Sequence, residues 1–103
     1  MNPFGNPQKL MKQFQQMQEK MQQEIAALEV EGTAGGGMVK VTMDGSKNVK
    51  RLVIDPEVVS KDEVEMLQDL VTAAFGDCAR KVDVAVQEKL AGMTGGMKIP
   101  GLF

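Results

Sequence analysis

Few of the 103 residues combine a type and a spacing that could do covalent chemistry. Histidine is absent, which removes the usual general base and the commonest metal ligand. The single cysteine, Cys78, falls between Ala74 and Val82 on an apolar helical stripe and reads as a small buried hydrophobe. Arg80 and Lys81 nearby would lower its pKa only if it were exposed. Gly35-Gly36-Gly37 lacks the Gly-Lys-Ser/Thr ending of a phosphate loop, and Gly45-Ser46-Lys47 has no helix to follow it. Asp62 and Glu63 sit where a helix start favours negative charge. The pattern offers no catalytic residue, no metal ligand set, no cofactor site and no pocket motif for a small-molecule substrate.

What remains is charge that could meet a polyanion. The formal net charge is −2, so the average is not that of a basic nucleic-acid-binding domain. The distribution is uneven. Met1 to Gln18 carries Lys9 and Lys12 and no acid, a local +2. Ala79 to Phe103 carries Arg80, Lys81, Lys89 and Lys98 against Asp83 and Glu88, again +2. Ser60 to Cys78 carries Lys61 against Asp62, Glu63, Glu65, Asp69 and Asp77, a local −4. Basic ends on an acidic root can recruit an anionic polymer despite a negative total. The same lysines and arginines would equally solvate a helix surface and suit a C-terminal dipole.

The elements that position these charges follow from periodicity. Asn6-Pro7 is an N-cap followed by proline at the first helical position. Leu10, Phe14, Met17, Met21, Ile25 and Leu28 then recur at steps of three and four, one apolar face of a first helix about 33 Å long. The period changes at Glu29 to two, which predicts three strands, over 29–34, 38–43 and 49–54. Gly35-Gly36-Gly37 and Asp44-Gly45-Ser46-Lys47 supply the turns. The third strand is apolar on both faces and wants cover on both. Asp55-Pro56 predicts a short helical turn.

Ser60-Lys61-Asp62-Glu63 reads as a capping box that opens a long helix running to Leu90. Its stripe is Val64, Leu67, Val71, Ala74, Cys78, Val82, Val86 and Leu90. At roughly 45 Å it exceeds the ~26 Å expected across a domain of this size, so part of it projects. The fold class is α+β: helix, three-stranded antiparallel sheet, long helix, in one domain. Residues 1–6 and 92–103 read as mobile tails, with Ile99, Leu102 and Phe103 available to dock. An isolated chain of this shape leaves apolar surface uncovered, which predicts a homodimer; a compact monomer would need a kink, at Gly76. One cysteine, no apolar run of ~20 residues and no leader-like N-terminus together predict a cytoplasmic protein without a membrane partner.

The chain resembles the YbaB/EbfC family of small bacterial nucleoid-associated proteins over essentially its whole length. The resemblance rests on Phe4-Gly5 before a Gln/Met-rich helix, and on the block from Glu31-Gly32-Thr33-Ala34 through Gly35-Gly36-Gly37 to Met38-Val39-Lys40-Val41. It continues in Leu52-Val53-Ile54-Asp55-Pro56, in Asp69-Leu70-Val71-Thr72-Ala73-Ala74-Phe75 and in Gly95-Gly96-Met97. It implies a tweezer-like homodimer with fused sheets and projecting helical arms. It also implies DNA binding with limited sequence preference, in nucleoid organisation or gene regulation. Carried onto this chain, the arms place Lys9, Lys12 and Lys20 on the first helix and Arg80, Lys81 and Lys89 on the second as DNA contacts, chosen by charge. The competing reading is a helical-arm chaperone or scaffold that uses the Met-rich face of Met11, Met17 and Met21. Packing of that face against the second helix is the plainer account.

Overall fold

The computed structural model describes residues 6–93. Helix α1 spans Pro7–Ala26, strands β1, β2 and β3 span Val30–Ala34, Val39–Met43 and Val49–Ile54, and helix α2 spans Val64–Met93. A single 3-10 turn, Pro56–Val58, lies between β3 and α2. The sheet is antiparallel in the order β1-β2-β3. This is the expected α+β order.

Each start has a local cause. Asn6 Oδ1 accepts the Gln8 N–H at 2.9 Å, and Pro7 occupies the first turn of α1, where no N–H is needed. Asp55 Oδ1 caps the 3-10 turn by accepting the Glu57 N–H at 2.9 Å. The β1–β2 turn holds Gly35, Gly36 and Gly37 at φ of 63°, 68° and 94°. Three consecutive left-handed residues are tolerable only without a Cβ, which is why the chain spends three glycines there. At the β2–β3 turn the Asp44 carboxylate accepts the N–H groups of Ser46 and Asn48, at 2.8 and 3.0 Å, and Asn48 Nδ2 at 3.1 Å.

The expected capping box does not form. Ser60 Oγ accepts from Asp62 N–H at 3.2 Å, and Ser60 O accepts from Glu63 N–H at 3.1 Å, which makes a tight turn. The first helical bond runs from Leu67 N–H to Glu63 O at 3.2 Å, so α2 begins after Glu63. It also outlasts Leu90, taking in Gly92 and Met93 from the stretch expected to be a tail. The rest of that tail, and residues 1–5, lie outside the described residues. α2 runs unbroken through Gly76.

The core is small and lies between α2 and the first two strands. Val39, Val41 and Met43 from β2 meet Ala74, Cys78 and Val82 from α2, all buried. Gly32 of β1 makes this possible: a Cβ there would collide with the Cys78 main chain. The middle of α2 is therefore its root, and the helix projects at both ends, with Val64 48% exposed. β3 lies beyond the reach of α2, and Val49, Leu52 and Val53 are 42–48% exposed. The strand that wanted cover on both faces has it, among the described residues, only where Ile54 packs against the core. The Cα radius of gyration is 19.9 Å, against about 13 Å for a compact chain of this length.

Candidate nucleic-acid interface

α1 is held by its last turn. The Gly45 N–H donates to Ile25 O at 3.1 Å, and a Cβ at Gly45 would strike that carbonyl. No residue of α1 is buried, and residues 7–20 are all exposed. α2 leaves the sheet beside the same β2–β3 turn, where Lys47 Nζ pairs with Asp83 Oδ1 at 2.9 Å. A little further out, Lys89 Nζ lies 3.9 Å from Glu24 Oε2 of α1. The two helices are thus antiparallel arms that leave one end of the sheet together. It is the end of α1, not its start, that lies beside the end of α2, and α1 runs on past its neighbour.

The six basic residues expected at DNA fall into three environments. Lys9, Lys12 and Lys20 are exposed on α1, and at 100° per residue they fall within about 80° of one another around the helix. Among the described residues none of the three has a carboxylate within ion-pair distance. Lys89 is half-buried and engaged with Glu24. Arg80 and Lys81 are exposed but stand over the sheet, between the core residues Cys78 and Val82, rather than at an arm tip. Lys81 Nζ is held at 2.9 Å by Asp77 Oδ2. That same oxygen accepts the Thr33 N–H at 2.9 Å, so Asp77 ties α2 to the edge strand β1. The Thr33 N–H above all, and then Lys81, hold the Asp77 carboxyl below the usual carboxylate range.

Sequence reasoning missed the outward face of the sheet. The register sets Glu31, Thr42 and Arg51 in one row across the three strands, with Lys40 and Val53 in the next. These residues alternate with the buried Val39, Val41 and Met43, so this face is a polar one. The alternation of β2 alone was the signal for Lys40. Arg51 needed the register of β3, which apolar residues on both faces conceal. Lys50, also on β3, lies 3.8 Å from the buried Asp44.

The apolar flank of α1 is uncovered. Leu10, Met11, Phe14 and Met17 are 49–65% exposed, so packing against α2 does not account for the Met-rich face. Only from Met21 onward does the stripe become half-buried. Cys78 is buried and inert: burial pushes its thiol pKa up, and the S–H donates to Val30 O at 3.2 Å. Among the described residues there is no cluster of acids and cysteine able to hold a metal, and no helix long and apolar enough to cross a membrane.

The described residues thus form a three-stranded sheet carrying two projecting helices, of which α1 is exposed along its outer part. A family model for the YbaB/EbfC DNA-binding family matches residues 3–97, and the chain belongs to that family. A crystal structure of HP0035 from Helicobacter pylori has the same fold. It superposes with a TM-score of 0.67 at 22% identity, covering 87% of this chain and 98% of that one.

Proposed function

We propose that this protein is nucleoid-associated and binds DNA as a homodimer, with limited sequence preference, contributing to nucleoid organisation or gene regulation. The carrying observation is the bare outer part of α1, where Lys9, Lys12 and Lys20 share one flank and, among the described residues, none has a carboxylate within ion-pair distance. Such a flank meets phosphates, and Gln13 or Gln16 can add hydrogen bonds to the backbone or to base edges. Arg80, Lys81 and Lys89 complete the proposed contact set from α2. Lys81 and Lys89 must exchange a protein carboxylate for a phosphate, so they add less than the three lysines of α1. The protein works by association and needs no cofactor, and its place is the cytoplasm, on the nucleoid.

The homodimer reading is supported by β3, which among the described residues is an edge strand paired on one side only and carries half-exposed apolar side chains. Both features call for a second strand, and a two-fold axis supplies it from an identical chain. With about 4–6 phosphates contacted, log K should fall with log salt at a slope of about −4 to −5. A binding constant that stays flat from low to physiological salt would overturn the phosphate mechanism.

A second reading is favoured by one observation, the exposure of Leu10, Met11, Phe14 and Met17. A Met-rich helical flank accepts varied protein partners, as a chaperone or scaffold arm would. Suppression of aggregation at high salt, without DNA retardation, would support it.

A further inference from the structure

The outward face of the sheet carries a second group of cations, away from the arms. β2 pairs with β3 as Thr42 with Arg51 and then Met43 with Val49, so Lys50 is the extra residue of a β-bulge. A bulge re-aims the side chains beside it. Here two consecutive cations, Lys50 and Arg51, line one shallow groove of about 220 Å³ together with Glu29, Glu31 and Thr42. Lys40 stands diagonally from Arg51, one row further along the same face. All three cations are exposed. Among the described residues neither Lys40 nor Arg51 has a carboxylate within ion-pair distance, and Lys50 has Asp44 at 3.8 Å. Glu31 shares a row with Arg51, but it stands across Thr42, two strand spacings or about 10 Å away, and does not pair with it. The face is thus divided: acids on and just before β1, cations on β2 and β3. Like charges on neighbouring strands repel, so an anion set among them would relieve a cost that the free chain carries.

We propose that this face is a second phosphate-binding surface, where Lys40, Lys50 and Arg51 of both copies contact a DNA backbone separately from the arms. The proposal rests on the DNA-binding and homodimer readings above. Antiparallel pairing of β3 with its own copy sets the two-fold axis perpendicular to the sheet, which keeps this face outward in both chains. At the usual strand spacing β3 and β2 then lie within about 7 Å of the axis, and β1 about 12 Å from it. Six cations collect in a central strip about 14 Å wide, and the acids of β1 border it on either side. The borders confine a polyanion to the strip. The occupant is backbone rather than bases, because residues 29–54 contain no aromatic ring on which a base could stack.

The test measures binding of the full chain to a DNA duplex across a salt series, with the solution mass of each free protein alongside. Lys40→Gln with Arg51→Gln is expected to weaken binding about tenfold or more and to make it less salt-dependent, at unchanged mass. Glu29→Gln with Glu31→Gln should strengthen binding, a change of sign that damage to the fold would not give. Lys40→Arg with Arg51→Lys keeps both charges and should bind as the wild type does. A wild type that binds no duplex would overturn the DNA-binding reading and this one together. A wild type that binds, with the Lys40 and Arg51 glutamine variant equal to it, would overturn this proposal alone and leave the arms as the contact. Should that variant lose mass as well as affinity, the glutamate variant decides: affinity no higher than the wild type's would overturn the proposal.

Discussion

Gly32 is the residue on which the packing of this fold turns. Its missing Cβ lets α2 approach β1 at Cys78, and the packing of Ala74, Cys78 and Val82 in the core follows from that approach. Gly32→Ala should lower stability by about 1–3 kcal/mol, the usual cost of forcing atoms into a packed contact. A urea midpoint equal to the wild type would show that the helix simply shifts. Asp77 holds the same junction by charge. Its folded-state pKa is depressed, so its contribution is full above the ordinary carboxylate pKa and is lost as the pH falls through the folded value. Asp44, lowered chiefly by the Asn48 N–H, acts in the same direction. The thermal midpoint should therefore drop as the pH falls below about 4. Asp77→Asn should start lower at pH 7 and lose less on acidification. An acid-induced loss as large as the wild type's would remove Asp77 from the account.

The two helices divide the work unequally. α2 is root and arm together, whereas α1 is an arm fastened by its last turns, at Ile25 and through Glu24. Replacing Lys9, Lys12 and Lys20 with Gln should reduce the salt slope of DNA binding by about 3, one for each phosphate left without its lysine. Arg80→Glu with Lys81→Glu should weaken binding less, because Lys81 already has Asp77. If the α2 pair dominates instead, the DNA lies over the sheet junction and not along α1. Much of this was legible from periodicity and punctuation: Asn6-Pro7 placed the start of α1, and alternation placed β2. The start of α2 was not, because Ser60 spends its hydroxyl on Asp62 two residues on, and Glu63 becomes the boundary. Nor was the root of α2. A continuous stripe does not say which three turns meet a sheet; that depends on Gly32, and a glycine inside a strand was the available signal of close approach. The basic set was chosen by charge along the chain, which cannot distinguish a lysine in open solvent from one already held by Asp77 or Glu24.

At the scale of the molecule, the problem is the side of β3 that no described residue covers. A radius of gyration of 19.9 Å belongs to a shape with little interior, and one buried cluster of six residues is a thin core for it. Small cores are usually supplemented by disulfides, metals or association, and Cys78 has no cysteine to pair with in its own chain. Association through β3 would bury Val49, Leu52 and Val53 and satisfy the open main-chain groups at once. The free protein should therefore sediment at twice its 11.2 kDa chain mass. Val49→Glu with Leu52→Glu should bring it to one chain, since charge on an edge strand opposes pairing. The same variant should weaken DNA binding well beyond the effect of two added acids, because a dimer brings two arms to one duplex and the second binds at high effective concentration. The α1 lysine variant provides the contrast: weaker binding at undiminished mass. A β3 variant that stays dimeric would place the two-fold axis elsewhere. One that becomes monomeric and binds DNA no less tightly would mean that each arm acts alone.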